Sequence, residues 1–221
     1  MNSQSIENYL KAIFSITEAS SQKEASTSAI AEILSTKSSS VTDMLQKLDR
    51  KGLVSYQKYK GASLTKEGRE ISIHIIRKHR LWEVFLVEKL GFKWDQIHDI
   101  AEQMEHIQSH DLTDRLDKFL EFPKFDPHGD PIPDKEGNIT KHSSAIDLFD
   151  LEAGSDGVII GVNDSSDDFL RYLEKHNLGL GVNIKMLERF DFDHSVSIQL
   201  PGNNSLSLSA QAARNIIVRK S

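Results

Sequence analysis

Apolar residues recur every three to four positions through the first half of the chain, a spacing that predicts amphipathic helices. A first helix is expected over about residues 5–18, with Ser5 as its N-cap. Two shorter helices are expected over about 27–34 and 39–51, and Gly52 follows the second of these as a C-cap residue. The chain therefore opens with three helices joined by short loops.

The second and third helices have the spacing of a helix-turn-helix. Small hydroxyl residues between Ser38 and Thr42 open the third helix, where their side chains could reach DNA base edges and phosphates. Residues 53–65 then alternate apolar and polar around a turn containing Gly61, which is typical of a two-stranded hairpin. We predict a winged helix-turn-helix DNA-binding domain over residues 1–72. Small helical domains that never touch DNA can show the same pattern, but a basic wing in this order favours DNA binding.

A long helix is expected over about Lys66–Leu90, and a second helical segment over about Asp95–Glu121. Large apolar side chains are concentrated in this part of the chain: Trp82, Phe85, Leu86, Leu90, Phe92 and Trp94. So many large side chains indicate both a core and an interface between two copies of the chain. We assign residues 73–122 to a helical metal-binding and dimerisation domain.

Residues 123–145 hold four of the five prolines, so regular structure should stop there and the segment is interpreted as a proline-rich linker. Beyond it, one helical run is expected over about Ser165–Lys175. Five short strand patterns surround that run, at about 156–162, 182–187, 195–200, 205–209 and 215–218. Short strands that close on each other form a small barrel, predicted for residues 146–221. The expected fold class is mainly α, with a β wing and a C-terminal small β barrel.

Six potential metal ligands fall at helical spacing in the middle of the chain. His79 and Glu83 are one helical turn apart. Positions i, i+4, i+7 and i+8 of a second predicted helix face are His98, Glu102, Glu105 and His106. The chain contains no cysteine, so a metal would be held by oxygen and nitrogen alone. Imidazole with carboxylate and no thiolate suits a divalent ion such as manganese, ferrous iron or zinc.

The net charge of -6 is distributed unevenly along the chain. Residues 1–80 carry 13 Lys and Arg against 8 Asp and Glu, whereas residues 81–221 carry 14 against 25. On charge alone, only the first third could lie against phosphates. The absence of cysteine, of a long apolar run and of an N-terminal signal pattern predicts a soluble cytoplasmic protein without membrane association.

The order of these parts and the residues of the ligand motifs resemble those of the diphtheria-toxin-repressor family of metal-dependent transcriptional regulators. The resemblance spans essentially the whole chain. Its most specific parts are residues 38–48, residues 77–83, the four candidates between His98 and His106, and Gly129–Pro133. The resemblance implies a homodimer that binds double-stranded operator DNA, repression of metal-uptake genes, and a barrel of SH3-like (FeoA-like) type.

The resemblance also implies two metal positions in each subunit. The primary position would use Asn8, Glu102, Glu105 and His106. The ancillary position would use His79, Glu83 and His98, completed from the barrel by Asp168 or by one of its neighbours Asp164 and Asp167. Glu102 stands where iron-type members carry a thiol, so Mn(II) is the expected activator and Fe(II) the alternative. At Asn8 the family commonly supplies Met or Asp, and a neutral amide balances no charge.

Metal binding is expected to control DNA binding through the first helix. A divalent ion would replace repulsion among Glu83, Glu102 and Glu105 with attraction and fix that helix in place. A fixed first helix would set two recognition helices of a dimer one DNA turn apart. Metal and DNA would then each tighten the binding of the other.

Two groups of DNA contacts are expected. Base edges or sugars would be met by Ser39, Ser40, Thr42 and Gln46. Phosphates would be met by Lys37, Lys47, Arg50, Lys58 and Lys60. Few of these residues can form the bidentate arginine-to-guanine contact, so DNA shape would contribute to specificity.

Two alternatives follow from the same residues. A dinuclear metallohydrolase could use paired metals to activate water, but no nucleophile motif or phosphate-binding glycine loop accompanies the ligands, so an enzyme is not expected. A winged-helix regulator could instead respond to a non-metal effector, with its histidines structural. Six ligand-type residues in register favour the metal. The other histidines are interpreted as surface or structural: His74, His110, His128, His142, His176 and His194.

Overall fold

The computed structural model describes residues 4–19, 23–140 and 144–220. Two compact units divide the chain. The first contains the residues up to His79 together with 104–108 and 133–138, and the second contains 80–103, 109–132 and the residues from 139 onward. No helix of the described residues is both long enough and apolar enough to cross a membrane. Each unit is built around its own buried residues.

The first unit is a helix-turn-helix followed by a hairpin and the start of a long helix. Its elements are α1 (Gln4–Ala19), α2 (Thr27–Ile33), α3 (Ser38–Arg50), β1 (Val54–Gln57), β2 (Gly61–Leu64) and the part of α4 (Lys66–Leu90) that ends at His79. Ile6, Leu10 and Ile13 of α1 share a core with Val41 and Leu45 of α3. The predicted winged helix-turn-helix is confirmed, and α1 is part of its core.

Two details of this unit differ from prediction. Ser5 lies inside the first turn of α1, since the helix already includes Gln4, and so Ser5 is not the N-cap. The turn of the wing precedes Gly61, which is the first residue of β2. Gly61 has φ +123°, and a Cβ there would lie 2.5 Å from the Ala25 carbonyl oxygen, because Ala25 pairs with Ala62. The glycine is required for this close approach, not for the turn itself.

The helical segment predicted over Asp95–Glu121 is divided into two helices. α5 spans His98–Met104 and α6 spans His110–Phe119. The hydroxyl of Ser109 accepts a hydrogen bond from the Leu112 amide and caps α6. The break leaves the chain free to turn immediately after α5, where two of the ligand candidates lie.

The C-terminal part of the second unit is a six-stranded antiparallel sheet in the order β3-β8-β4-β5-β6-β7. Its elements are β3 (Ala145–Asp147), β4 (Asp156–Val162), α7 (Asp167–Lys175), β5 (Asn183–Arg189), β6 (Val196–Leu200), β7 (Asn204–Leu208), α8 (Ala210–Arg214) and β8 (Ile216–Lys220). The five predicted strands and α7 are confirmed. β3 and α8 were not predicted because, at three and five residues, each is too short to repeat its hydrophobic pattern.

The proline-rich segment contains no helix or named strand within residues 121–140, as predicted. It is nevertheless partly buried: Asp126, His128 and Ile132 are each at most 5% exposed. Gly129 has φ +88°, and a Cβ there would lie 2.2 Å from the Ile160 carbonyl oxygen. This segment therefore packs closely against β4.

Candidate metal centres and nucleic-acid interface

A buried group of ionisable side chains lies in the first unit. We name it the Glu105 cluster, and it consists of Glu7, Lys11, His79, Glu105 and His106. His79 Nδ1 lies 2.5 Å from Glu105 Oε2. His106 Nδ1 lies 2.6 Å from Glu7 Oε2. The ammonium of Lys11 donates to both oxygens of Glu105, at 2.8 and 2.9 Å.

Three separate parts of the chain build this cluster. Glu7 and Lys11 are one turn apart on α1, and His79 lies on α4. Glu105 and His106 lie in the turn after α5. Glu105 is fully buried and Glu7 is 4% exposed, so both carboxylates depend on partners supplied by the protein.

The pKa of Glu105 in the cluster and that of the neighbouring Lys78 are both shifted. Burial alone raises the pKa of Glu105, but the hydrogen bond with His79 and the Lys11 ammonium outweigh burial and hold that pKa below its usual value. Burial lowers the pKa of Lys78, against the raising effect of the Glu7 and Glu105 carboxylates. The cluster thus favours ionised Glu105 at neutral pH.

The donor types of this cluster suit a divalent cation, although its residues together do not form one of the groups of described residues whose ligand atoms all lie within 4.8 Å of one another. Among the described residues, the buried His106 Nε2 has no hydrogen-bond partner, and it lies 3.9 Å from Glu105 Oε1. An imidazole nitrogen left in this way beside a carboxylate is the arrangement of a metal ligand pair. Oxygen and nitrogen donors without sulfur suit Mn²⁺ or Fe²⁺. Glu7, His79, Glu105 and His106 are the residues of this unit that could hold such an ion.

Glu7 is a functional candidate that sequence reasoning missed. Asn8 was predicted as the α1 ligand, and it is half-buried in the structure. The adjacent Glu7 is the α1 residue that meets His106, and its other oxygen accepts from Gln108 Nε2 at 2.9 Å. The sequence does place Glu7 on the predicted first helix, directly between the apolar Ile6 and the predicted ligand Asn8. A carboxylate at that position could have been considered as a ligand. The ligand role of Asn8 stays a prediction.

The single helix face predicted for His98, Glu102, Glu105 and His106 is wrong. α5 ends at Met104, so Glu105 and His106 do not continue its stripe. Their side chains instead pair with ionisable groups of α1 and α4. Tertiary pairing has overridden the local periodicity here.

A second ionisable group lies within the second unit. We name it the Glu83 cluster, and it consists of Glu83, His98, Asp126 and His128. Glu83 is 2% exposed, and its Oε1 lies 3.6 Å from His98 Nδ1 and 3.8 Å from His128 Nδ1. Ligand atoms of Glu83, Asp126 and His128 all lie within 4.8 Å of one another. This spacing could hold a cation, and the structure adds Asp126 and His128 to the predicted Glu83 and His98.

The orientation of His128 is fixed by the backbone. Its Nε2 donates to the Trp94 carbonyl oxygen at 3.0 Å, because a carbonyl can only accept. In the neutral ring, Nδ1 therefore presents a lone pair toward Glu83. Burial and the Glu83 carboxylate raise the pKa of Asp126 well above its usual value, although Arg80 Nε lies 3.5 Å from Asp126 Oδ2. No periodic pattern pointed to Asp126 and His128, since they lie in the proline-rich segment.

The structure also shows the contacts of the other predicted ligands. His79, predicted for the ancillary position, contacts Glu105 of the other cluster. Glu102 Oε2 lies 3.8 Å from His98 Nε2. The side chain of Asp168 is fully exposed and lies 3.9 Å from Arg171, and it joins none of the metal-capable groups found among the described residues. His142 and the side chain of His110 lie outside the described residues.

The predicted DNA contacts lie on an exposed surface of the first unit. Exposed side chains at the start of α3 and in the turn before it are Lys37, Ser39 and Ser40; those further along α3 and in the wing are Gln46, Lys47, Arg50, Lys58 and Lys60. Thr42 is half-buried, and its hydroxyl donates to the Ser38 carbonyl. Tyr59 was not predicted; it is 93% exposed at the wing turn, with Lys58 Nζ 5.0 Å from its ring centroid.

Comparison with known proteins covers nearly the whole chain. Three family models match: the iron dependent repressor N-terminal DNA binding domain at residues 1–62, the iron dependent repressor metal binding and dimerisation domain at 65–134, and the FeoA domain at 146–220. The iron-dependent repressor IdeR of Mycobacterium bovis is 29% identical, over 86% of this chain and 87% of its own length. The HTH-type transcriptional regulator MntR of Oceanobacillus iheyensis is 38% identical, over 57% and 84%.

Solved structures agree with these matches. A manganese-dependent transcriptional repressor in complex with manganese is 33% identical, with TM-score 0.87, and the match covers 98% of this chain and 100% of that one. The structure of ScaR with bound Zn²⁺ is also 33% identical, with TM-score 0.78 and coverage of 98% and 99%.

Proposed function

We propose that this chain, which belongs to the diphtheria-toxin-repressor family of metal-dependent DNA-binding transcriptional regulators, represses metal-uptake genes when Mn²⁺ or Fe²⁺ activates it. It would act in the cytoplasm, where its operator DNA lies. The observation that carries the proposal is the Glu105 cluster, which brings buried carboxylates and imidazoles against α1, a helix in the core of the winged helix-turn-helix.

The primary metal position uses Glu7, Glu105 and His106, with His79 oriented by its hydrogen bond to Glu105. A divalent ion would bind oxygens of the two buried carboxylates and draw the segments that carry them together. Glu7 then draws α1 toward the turn that carries Glu105 and His106. The resemblance adds Glu102 and Asn8 to this position, and both remain part of the proposal.

Fixing α1 restricts the recognition helix. Leu10 and Ile13 of α1 are fully buried with Leu45 and Leu48 of α3, so a shift of α1 changes the packing under α3. The exposed Ser39 and Ser40 at the start of α3 would follow that change. Metal binding and DNA binding therefore select the same conformation and strengthen each other.

Operator DNA would be bound by a homodimer. Large apolar side chains remain exposed in the helical part of the second unit: Leu90, Phe92, Leu112, Phe119 and Phe122. Phe119 and Phe122 are 60% and 57% exposed. Single exposed apolar residues are common on protein surfaces, but five large ones in one helical part indicate an interaction surface. This patch supports an isologous interface between two copies, which would place two recognition helices on one face of the DNA.

The ancillary position is proposed at the Glu83 cluster. His79, Glu83 and His98 were predicted there, and the contacts of Glu83 support His128 and Asp126 as additional donors. His128 could supply the donor that was predicted from Asp168. The four-part division into a DNA-binding domain (1–72), a metal-binding and dimerisation domain (73–122), a linker (123–145) and a barrel (146–221) completes the proposal.

The test is DNA affinity measured against metal. A duplex selected from random DNA by the manganese-loaded protein is labelled, and its binding is followed by fluorescence anisotropy with Mn²⁺, Fe²⁺, Co²⁺ or Zn²⁺ under reducing conditions. We expect Mn²⁺ or Fe²⁺ to tighten binding about 100-fold over chelator, within the usual range of allosteric coupling. Equal affinity with chelator would refute the proposal.

The DNA surface has a separate test. Lys58→Glu combined with Lys60→Glu should weaken binding and reduce its dependence on salt by about two counterions, because each lysine meets a phosphate. Lys175→Glu on α7 is the matched control, since it changes a charge outside the DNA-binding unit. An unchanged salt slope in the double variant would remove the wing from the interface.

A further inference from the structure

We propose that Lys11 determines the metal affinity of the Glu105 cluster, because its ammonium binds the carboxylate oxygens that a divalent ion needs and must leave when the ion binds. This inference rests on the proposed function and adds to it a residue of this chain that competes with the metal. Lys11 is an internal cation, and the cell's metal concentration has to exceed the threshold that it sets.

The contacts of Lys11 define the competition. Its Nζ lies 2.8 Å from Oε1 and 2.9 Å from Oε2 of Glu105, so one ammonium spans both oxygens. Glu105 is fully buried, and charge-assisted hydrogen bonds to a buried carboxylate are among the stronger interactions in proteins. A metal ion cannot use these oxygens fully while the ammonium occupies them.

The balance of charges in the cluster also indicates that an ammonium must leave when a divalent ion binds. Glu7 and Glu105 carry two negative charges, and the neighbouring Lys11 and Lys78 carry two positive charges. Adding a divalent ion to this balanced group would leave two uncompensated positive charges in a buried site, which is costly. The release of an ammonium removes part of that excess.

Lys11 is the lysine that can leave. Its side chain is 19% exposed, so its ammonium has a path to water. A lysine side chain has four rotatable bonds and can move its charge several ångströms without moving the backbone. The release of Lys11 therefore needs no unfolding of α1.

The ammonium also has a role in the absence of bound metal. It keeps Glu105 paired and so prevents the unfavourable burial of an isolated carboxylate. The same contact thus stabilises the fold and opposes metal binding. A lysine that only stabilised the fold would not change the metal affinity in the direction expected here.

The experiment compares the full chain with three variants, using Mn²⁺ and a fluorescent chelator in competition. Lys11→Met removes the ammonium and keeps the aliphatic stem, so Mn²⁺ should bind about tenfold more tightly. Lys11→Arg keeps the charge and can bind the carboxylate in a bidentate manner, so Mn²⁺ should bind equally or more weakly. Glu105→Gln should lose most of the Mn²⁺ affinity and reports the site itself.

Melting temperature gives a second readout. With chelator, Lys11→Met should melt below wild type, because the buried Glu105 carboxylate loses its ammonium partner, and Mn²⁺ should raise its melting temperature by more than it raises that of wild type. If Lys11→Met does not fold, Lys11→Arg still tests the direction, since tighter Mn²⁺ binding by that variant contradicts the competition.

The two possible failures are distinct. If Glu105→Gln loses one of the Mn²⁺ ions that wild type binds, and Lys11→Met binds that ion no more tightly than wild type, the inference about Lys11 is overturned and the proposed function stands. If wild type itself shows no Mn²⁺ binding that Glu105→Gln abolishes, the proposed metal site fails and the inference fails with it.

Discussion

The Glu105 cluster and the Glu83 cluster use the same side-chain types but differ in how their carboxylates are balanced. Glu105 is paired with the flexible Lys11, whereas Asp126 of the other cluster faces the guanidinium of Arg80. Arg80 is also held by Asp130, at 3.1 Å. The first cluster therefore contains a cation that can leave, and the second contains one that is anchored.

The clusters also differ in what they are attached to. Glu7 and Lys11 belong to α1, which packs in the core of the DNA-binding unit. His128 is bonded to the Trp94 backbone, and Trp94 packs on the core of the barrel. We therefore expect the Glu105 cluster to control DNA binding and the Glu83 cluster to stabilise the second unit.

The largest effect is expected from Glu105→Gln. The substitution removes a buried ligand charge that both Lys11 and His79 contact, so Mn²⁺-dependent DNA affinity should fall about 100-fold. Fluorescence anisotropy with saturating Mn²⁺ measures the loss, and circular dichroism checks the fold. The matched change in the other cluster is Glu83→Gln, for which we expect a loss of only about tenfold. Equal losses in both variants would remove the distinction between the clusters.

A large effect on stability, confined to the second unit, is expected from Gly129→Ala. A Cβ at this position would meet the Ile160 carbonyl at 2.2 Å, so unfolding free energy should fall by about 3 kcal/mol or more. Gly154→Ala is the control: it shares a positive φ of +85° but has open space around it, and it should cost about 1 kcal/mol. Urea unfolding measures both. Similar costs would show that the proline-rich segment does not pack on β4 as described.

A moderate effect is expected from His98→Ala. His98 is half exposed, so its loss should change stability little, but it should remove one donor from the Glu83 cluster. Mn²⁺ stoichiometry measured by electron paramagnetic resonance should fall from two ions per chain toward one, with DNA affinity reduced about threefold. Retention of two tightly bound ions would exclude His98 as a ligand.

The smallest effect is expected from Asp168→Asn. Its side chain is fully exposed, and its contact with Arg171 is long, so the free energy of unfolding should not change measurably. Mn²⁺ stoichiometry should stay at two. A fall to one ion per chain would instead restore Asp168 as a ligand and weaken the case for His128.

Much of the fold follows from hydrophobic periodicity, because both kinds of regular element bury one face. The predicted boundaries of α4 match the structure, and the predicted strands correspond to β4, β5, β6, β7 and β8. Periodicity failed after Met104, where the side chains of Glu105 and His106 pair with other parts of the chain. A local pattern carries no information on such distant partners.

The candidate site was only partly predictable for the same reason. Spacing pointed to His79, Glu83 and His98 because they lie on helices. His128 and Asp126 were overlooked because a proline-rich segment has no period from which a shared face can be inferred. Lys11 has no ligand chemistry of its own, and its importance follows from its contact with Glu105.

The most direct test of the account is amide hydrogen exchange along α1 in the full chain, with Mn²⁺ and with chelator. If the Glu105 cluster holds α1 through Glu7, Mn²⁺ should slow exchange across Glu7–Ile13 at least about tenfold in wild type and leave Glu105→Gln unchanged. Wild type that binds Mn²⁺ while α1 exchanges at the same rate as with chelator would contradict the central claim.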